Sequence, residues 1–251
     1  MQQDDARVLA TVRRLWQGLA SPTARFTPGR VAVVVNAGSM ACPPGWIGVV
    51  EIAGSALAIV PDEDTARRLA IEDESPKNVG TVDFLRSRMQ IAEVLGPATL
   101  DYLMPGRFTP AEEIDVVASK ASDPAIESML SKVGDDEASE SGIFGITSPL
   151  FSVRDHGRVL AVAGYRSWPL GVAHVTALTA PEARGTGLAT RLASTAVEHA
   201  LEHKLLPQWR AADTNPGSRA VARKLGFSAV GRQLSVRPVV AEWPSPSAAD
   251  A

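Results

Sequence analysis

One short stretch, Arg184-Gly185-Thr186-Gly187-Leu188-Ala189, constrains this chain more than any other. It stands between an apolar run, Leu170 to Thr179, that reads as a strand, and a segment, Leu188 to Lys204, that reads as a helix. Along that helix Leu188, Leu192, Ala196, Val197, Ala200 and Leu201 fall on one stripe. Two glycines one residue apart let the backbone take positive φ and turn consecutive N–H groups to one side. The helix start adds its own unpaired N–H groups and the positive end of its dipole. A strand, a two-glycine turn and a helix in that order suit an anion such as a pyrophosphate. Arg184 could add a charge and Thr186 a hydroxyl. A lone Gly-x-Gly also serves a helix entrance that merely needs a tight turn. The stretch has no Gly-Lys-Ser/Thr, so it is not a Walker A loop. It has no third glycine and no acidic residue placed after the next strand, so a dinucleotide fingerprint fits poorly.

The surrounding pattern is mixed α/β. From Gly142 onward, Ile143 to Val153 reads as a strand and Asp155-His156-Gly157-Arg158 as a hairpin turn. Val159 to Trp168 is the return strand, and Pro207 to Ala212 another. Pro216 to Leu225 is a short helix closed by Gly226, and Phe227 to Arg237 a last strand or hairpin. Upstream, Asp5 to Leu19 carries Val8, Leu9, Val12, Leu15 and Trp16 at helical spacing. Arg30 to Asn36 reads as a strand. Trp46 to Val60 holds two short strands about the turn Ala53-Gly54-Ser55. Helices are expected from Pro61 to Ile71, Val82 to Leu95, Pro110 to Lys120 and Asp123 to Lys132. Asp135 to Ser141 is acidic and polar, an expected exposed loop. The proline-rich end after Arg237 reads as a flexible tail.

Two motifs in this order resemble the GNAT-type N-acetyltransferases. The glycine stretch matches that family's Arg/Gln-x-x-Gly-x-Gly/Ala signature, with Arg184, Gly187 and Ala189 at its defined positions. Asn215-Pro216-Gly217-Ser218, followed by a helix ending in Leu225-Gly226-Phe227, resembles its second motif. The resemblance is carried by residues 143–237, reaches back to about 107 and is absent before that. It implies a mixed, mostly antiparallel sheet with one splayed parallel strand pair, flanked by helices. A smaller α/β region, 1–106, would precede an acetyltransferase domain at 107–237, with the tail at 238–251.

The resemblance also implies the chemistry. Acetyl-CoA, as co-substrate, would lie where Ala173–Thr179 and Gln208–Ala212 splay apart. Its pantetheine arm would pair with backbone near Ala177, Leu178 and Thr179. The pyrophosphate would sit on Arg184, Gly185, Thr186, Gly187, Leu188 and Ala189. A backbone N–H of the cofactor strand would hold the thioester oxygen. Asn215 would contact the cofactor, or serve only as a helix N-cap to Ser218. The acceptor would be a primary amine of a small molecule or peptide, attacking directly in a ternary complex.

The chain departs from the family at one point. Many members carry a tyrosine acid in the second motif, where Ala222 stands here. Tyr165 and Ser218 are the candidate replacements, and His174 the candidate base. Each has a plain structural reading as well: strand packing for Tyr165 and His174, first-turn placement for Ser218. Glu137 and Glu140 border the expected acceptor side and also read as a solvated charge run. His199 and His203 have metal-ligand spacing but no nearby third ligand, so no metal is expected. An acyl-CoA-binding regulatory module on the same fold is the alternative to an enzyme, and a Rossmann-like nucleotide-binding domain is a third reading.

Composition narrows the partners. A formal net charge of −3 gives no general attraction to nucleic acid or an anionic membrane. Cys42 is the single cysteine and has no basic neighbour, so disulfides and thiol catalysis are set aside. No leader or spanning segment is apparent in the sequence, and a cytoplasmic protein is expected. Residues 1–106 would be a degenerate second copy of the fold, a lid, or a dimerisation unit giving a homodimer.

Overall fold

A computed structural model describes residues 3–71, 74–120, 122–134 and 141–239. These divide into two compact units. One holds the described residues up to Leu15 together with Ala98–Gly231, the other Trp16–Pro97 with the described residues from Arg232 onward. The expected boundary at residue 106 compares with this division at Pro97.

The first unit is built on strands β4 (Ile91–Tyr102, from Ala98), β5 (Val117–Ser119), β6 (Leu150–Asp155), β7 (Arg158–Trp168), β8 (Val172–Thr179) and β9 (Leu206–Ala212). Their order is β4-β9-β8-β7-β6-β5, and of the neighbouring pairs only β8 and β9 run parallel. The β6–β7 hairpin turns at His156 and Gly157, both at positive φ, as the Asp-His-Gly-Arg sequence foretells.

Helices α6 (Leu188–Glu202) and α7 (Pro216–Lys224) pack on one face of these strands. The apolar stripe of α6, from Leu192 to Ala200, meets Tyr165, Val175 and Trp209, while Ala222 and Leu225 follow from α7. Helix α5 (Pro124–Val133), capped by Asp123, buries Ile126, Met129 and Leu130 in a second cluster with Val162 and Leu178. Val162 and Leu178 point away from α6, as alternation along a strand requires.

The second unit carries β1 (Val31–Val35), β2 (Ile47–Ile52) and β3 (Ser55–Val60), with β1 parallel and β2 antiparallel to β3. Helices α2 (Glu63–Leu69), α3 (Pro76–Val79) and α4 (Val82–Arg88) cover them. Leu234 and Val236 of β10 (Ser228–Pro238) complete that core. Helix α1 (Gln3–Ala20) opens on Asp4 and Asp5 and buries Val12, Leu15, Trp16 and Ala20.

Three expected elements differ. The helix from Val82 stops at Arg88, and Ile91 begins a strand instead. Ile91 and Val94 are β-branched and pack into the second core, which overrides the helical spacing. Pro110 to Lys120 forms no helix. Ala111, Ile114 and Val116 lie on the first core, and the Ala111 N–H donates to Ser194 Oγ at 3.0 Å. Glu112 pairs with Arg191, so its acidic side chain answers α6 rather than a helix of its own. The strand expected from Ile143 starts only at Leu150, after a 3-10 turn over Ile143–Gly145. Residues 135–140, with Glu137 and Glu140, where an exposed loop is expected, and those from 240, where a tail is expected, lie outside the described residues.

Gly226 fixes the end of α7 against the incoming chain. Its φ is +89°, and a Cβ there would stand 1.9 Å from the Arg107 carbonyl oxygen. Gly226→Ala should therefore cost at least about 2 kcal/mol, from strain and displaced backbone together. Denaturant midpoints of the two proteins would measure it, and equal midpoints would refute this account of the closure.

Candidate functional site

The parallel pairing of β8 with β9 runs only from Val172↔Leu206 to Val175↔Trp209. β8 continues to Thr179 and β9 to Ala212, each still paired on its outer side. Thr179 meets Ala161 of β7, and Ala212 meets Ala98 of β4. Between the two strands the pairing stops, so a cleft opens from Thr176 and Arg210 onward. Ala177, Leu178 and Thr179 line its β8 edge. Thr179 Oγ1 is buried and has no hydrogen-bond partner among the described residues.

β8 leads directly into the glycine loop. Gly185 and Gly187 have φ of +77° and +84°, and the space beside both is open. Gly187 caps α6 in the left-handed conformation, and the first intrahelical bond is Thr190 N–H to Gly187 O at 3.1 Å. The amides of Leu188 and Ala189 precede that bond and have no acceptor within the helix. Arg184 is exposed, and its Nε donates to the Thr179 carbonyl at 3.4 Å. The Thr186 hydroxyl donates to the Ala183 carbonyl at 2.6 Å, so it braces the loop. That hydroxyl is therefore already engaged inside the loop.

At the closed end of the cleft, Tyr165, Val175, Trp209 and Asp101 form one row across four strands on the α6 face. The Trp209 indole N–H donates to Ser218 Oγ at 2.9 Å. Ser218 N–H donates to Asn215 Oδ1 at 2.9 Å, which makes Asn215 the N-cap of α7. Ser218 and Ala222 are four residues apart on α7, hence on one face. The Tyr165 hydroxyl lies 3.0 Å from His199 Nδ1, tied to α6. His203 stacks on His199 and donates from Nδ1 to the His199 carbonyl.

His174 points to the opposite face. Its Nδ1 bonds Gln208 Oε1, and Trp168 stacks on its ring at 4.9 Å. Burial above all, then the guanidiniums of Arg210 and Arg166, pull its proton affinity down to about 3, against the Gln208 bond. His174 therefore stays neutral through the physiological range. Burial likewise pushes the Cys42 thiol up to about 11, so it carries no thiolate.

Asp101 and Gln208 had no place among the sequence candidates. Asp101 stands among apolar residues, Leu100 and Leu103, which is the one signal that could have marked it as a buried carboxyl. Burial raises its pKa to about 6, with Arg219 opposing. A carboxyl raised in this way favours the folded state least when ionised. Its unfavourable contribution is absent below about pH 4, grows through pH 6 and is complete above. Asp101→Asn should therefore raise stability by about 2 kcal/mol at pH 7.5 and by almost nothing at pH 4. Paired denaturation curves at the two pH values measure the difference, and an equal effect at both would refute it.

The family model of the GNAT acetyltransferases matches residues 151–232, the span from β6 to β10. No curated protein matches the sequence. Among solved structures, a putative GNAT-family acetyltransferase from Novosphingobium aromaticivorans is 22% identical, with a TM-score of 0.48. The match covers 59% of this chain and 65% of that one. A GCN5-related N-acetyltransferase from Kribbella flavida is 19% identical, TM-score 0.47, over 64% of this chain and again 65% of the other. A GCN5-related N-acetyltransferase-like protein from Streptococcus suis is 14% identical, TM-score 0.45, over 92% and 98%. The chain thus spans about two thirds of the length of the first and second of these. Both motifs and the splayed strand pair lie inside the span, residues 151–232, that is similar to the GNAT acetyltransferases.

Proposed function

We propose that the chain transfers the acetyl group of acetyl-CoA to a primary amine of a small molecule or peptide, by direct attack in a ternary complex. The observation that carries this reading is the parallel ladder that stops at Val175↔Trp209 while β8 runs on into the glycine loop. The edge at Ala177, Leu178 and Thr179, no longer paired with β9, suits an amide-bearing arm, and the Thr179 hydroxyl, without a partner among the described residues, suits one of its polar atoms. Arg184 and the backbone from Gly185 to Ala189 suit the pyrophosphate. Asn215, already the α7 cap, stands at the mouth of the cleft on the β9 side.

Acetyl-CoA supplies an activated acyl group, and the protein must neutralise the thiolate that leaves. Ala222 offers no proton. Ser218, one turn earlier on the same face of α7, takes over in this reading. Its oxygen accepts the Trp209 N–H, which fixes its lone pair and strengthens its own O–H as a donor. Ser218→Ala should lower kcat about tenfold or more, with a small change in the KM for acetyl-CoA. Gly187→Val forces a β-branched residue into the left-handed region and should weaken acetyl-CoA binding at least about tenfold.

With His174 held neutral, the amine enters without its extra proton. Then kcat/KM should rise about tenfold per pH unit up to the pKa of the acceptor itself, about 8 for an α-amine. A plateau beginning near pH 6.5 would restore His174 as base. Thiol release from acetyl-CoA over a panel of amines tests the whole reading. Cofactor binding with no stimulation by any amine would instead favour an acyl-CoA-binding module.

A further inference from the structure

Next to the row on the α6 face lies a second row that points the other way: Arg166, His174, Gln208 and Tyr102, from β7, β8, β9 and β4. It is the last row but one before the strands part. Gln208 is fully buried in it. Its Oε1 takes the His174 Nδ1 proton, while Nε2 has no hydrogen-bond partner among the described residues. A buried donor without an acceptor is costly, and folded chains seldom keep one. The stack of Trp168 on His174 holds the ring, the ring holds Oε1, and the Nε2 end is thereby set.

Sidedness says what the donor is for. α6, whose first amides open the anion site, packs on the face of Tyr165, Val175 and Trp209. A cofactor anchored there enters the cleft from that face and leaves the Gln208 face to the acceptor. His174, donating from Nδ1, keeps the Nε2 lone pair as an acceptor. The row therefore holds one donor and one acceptor on the same face, the groups that a C=O and an amine N–H would each pair with.

We propose that the Gln208 side-chain amide, positioned by His174, binds a carbonyl or carboxylate oxygen of the acceptor. The site then selects amines that carry such an oxygen next to the nucleophilic nitrogen, as amino acids and peptide N-termini do. This inference rests on the acetyl-transfer reading for its choice of ligand.

The test is titration calorimetry on the CoA-saturated full chain. The probes are free amino acids and short peptide amides, each matched with the alkylamine that lacks the carbonyl. Carbonyl-bearing probes should bind the native protein at least about tenfold more tightly than their partners. Gln208→Leu, which removes the donor and also leaves His174 Nδ1 without its acceptor, should erase that preference. Gln208→Glu should erase it too, since a carboxylate repels the ligand oxygen, and it carries the test if the leucine variant does not fold. In turnover the loss should fall mainly on the acceptor KM rather than on kcat. Matched probes that bind alike, probes that all fail to bind, or a preference that survives in a folded variant would overturn the proposal. A binding preference without any acetyl transfer would sink the enzymatic reading and leave the Gln208 site standing. Transfer without preference would do the reverse.

Discussion

The parallel pairing between β8 and β9 is the constraint on which the site depends, because it is incomplete. Four residue pairs hold the strands together, from Val172↔Leu206 to Val175↔Trp209, and then the strands separate. A parted pair would collapse or recruit another chain if its edges were unsupported. Here β8 stays paired to β7 along its whole length, and β9 to β4 through Ala212. Packing reinforces the separation, with the α6 stripe on Val175 and Trp209 and α7 on Trp209 through Ser218. The cleft is thus a property of the outer pairings.

The two rows at the closed end divide the chemistry by face. Tyr165, Trp209 and Asp101 face the helices, where Ser218 gathers the indole proton. His174 and Gln208 face away from them. Strand alternation alone gives adjacent residues two different environments on opposite faces of the sheet. This also explains the fate of His174. The position that places it at the cleft also buries it between guanidiniums, and so holds it neutral.

Much of this was legible in the sequence where local and tertiary demands agree. Gly185 and Gly187 need positive φ, the α6 stripe needs a core, and Asn215 with Gly226 brackets a short helix. Sequence reading failed where tertiary packing overrode local preference. Pro110-Ala111-Glu112-Glu113 has the composition of a helix start, yet Ser194 and Arg191 of α6 claim Ala111 and Glu112 in extended form. Ile91 to Leu95 follows a helical spacing and joins a strand. Asp101 and Gln208 were invisible for another reason. Their meaning lies in cross-strand neighbours, Trp209 for one and His174 for the other, that are about 108 and 34 positions away in the chain. Ala222 marked a loss plainly, but nothing linear linked it to the Trp209–Ser218 bond one turn earlier.

The unpaired part of β8 is also a measure of length. From Val175 to Thr179 it extends roughly 13 Å, four residues at the rise of an ordinary strand. One end is fixed by the last pair, Val175↔Trp209, and the other by the loop that opens α6. The strand thus sets the distance between the loop and the closed end, and any ligand that touches both has to span it.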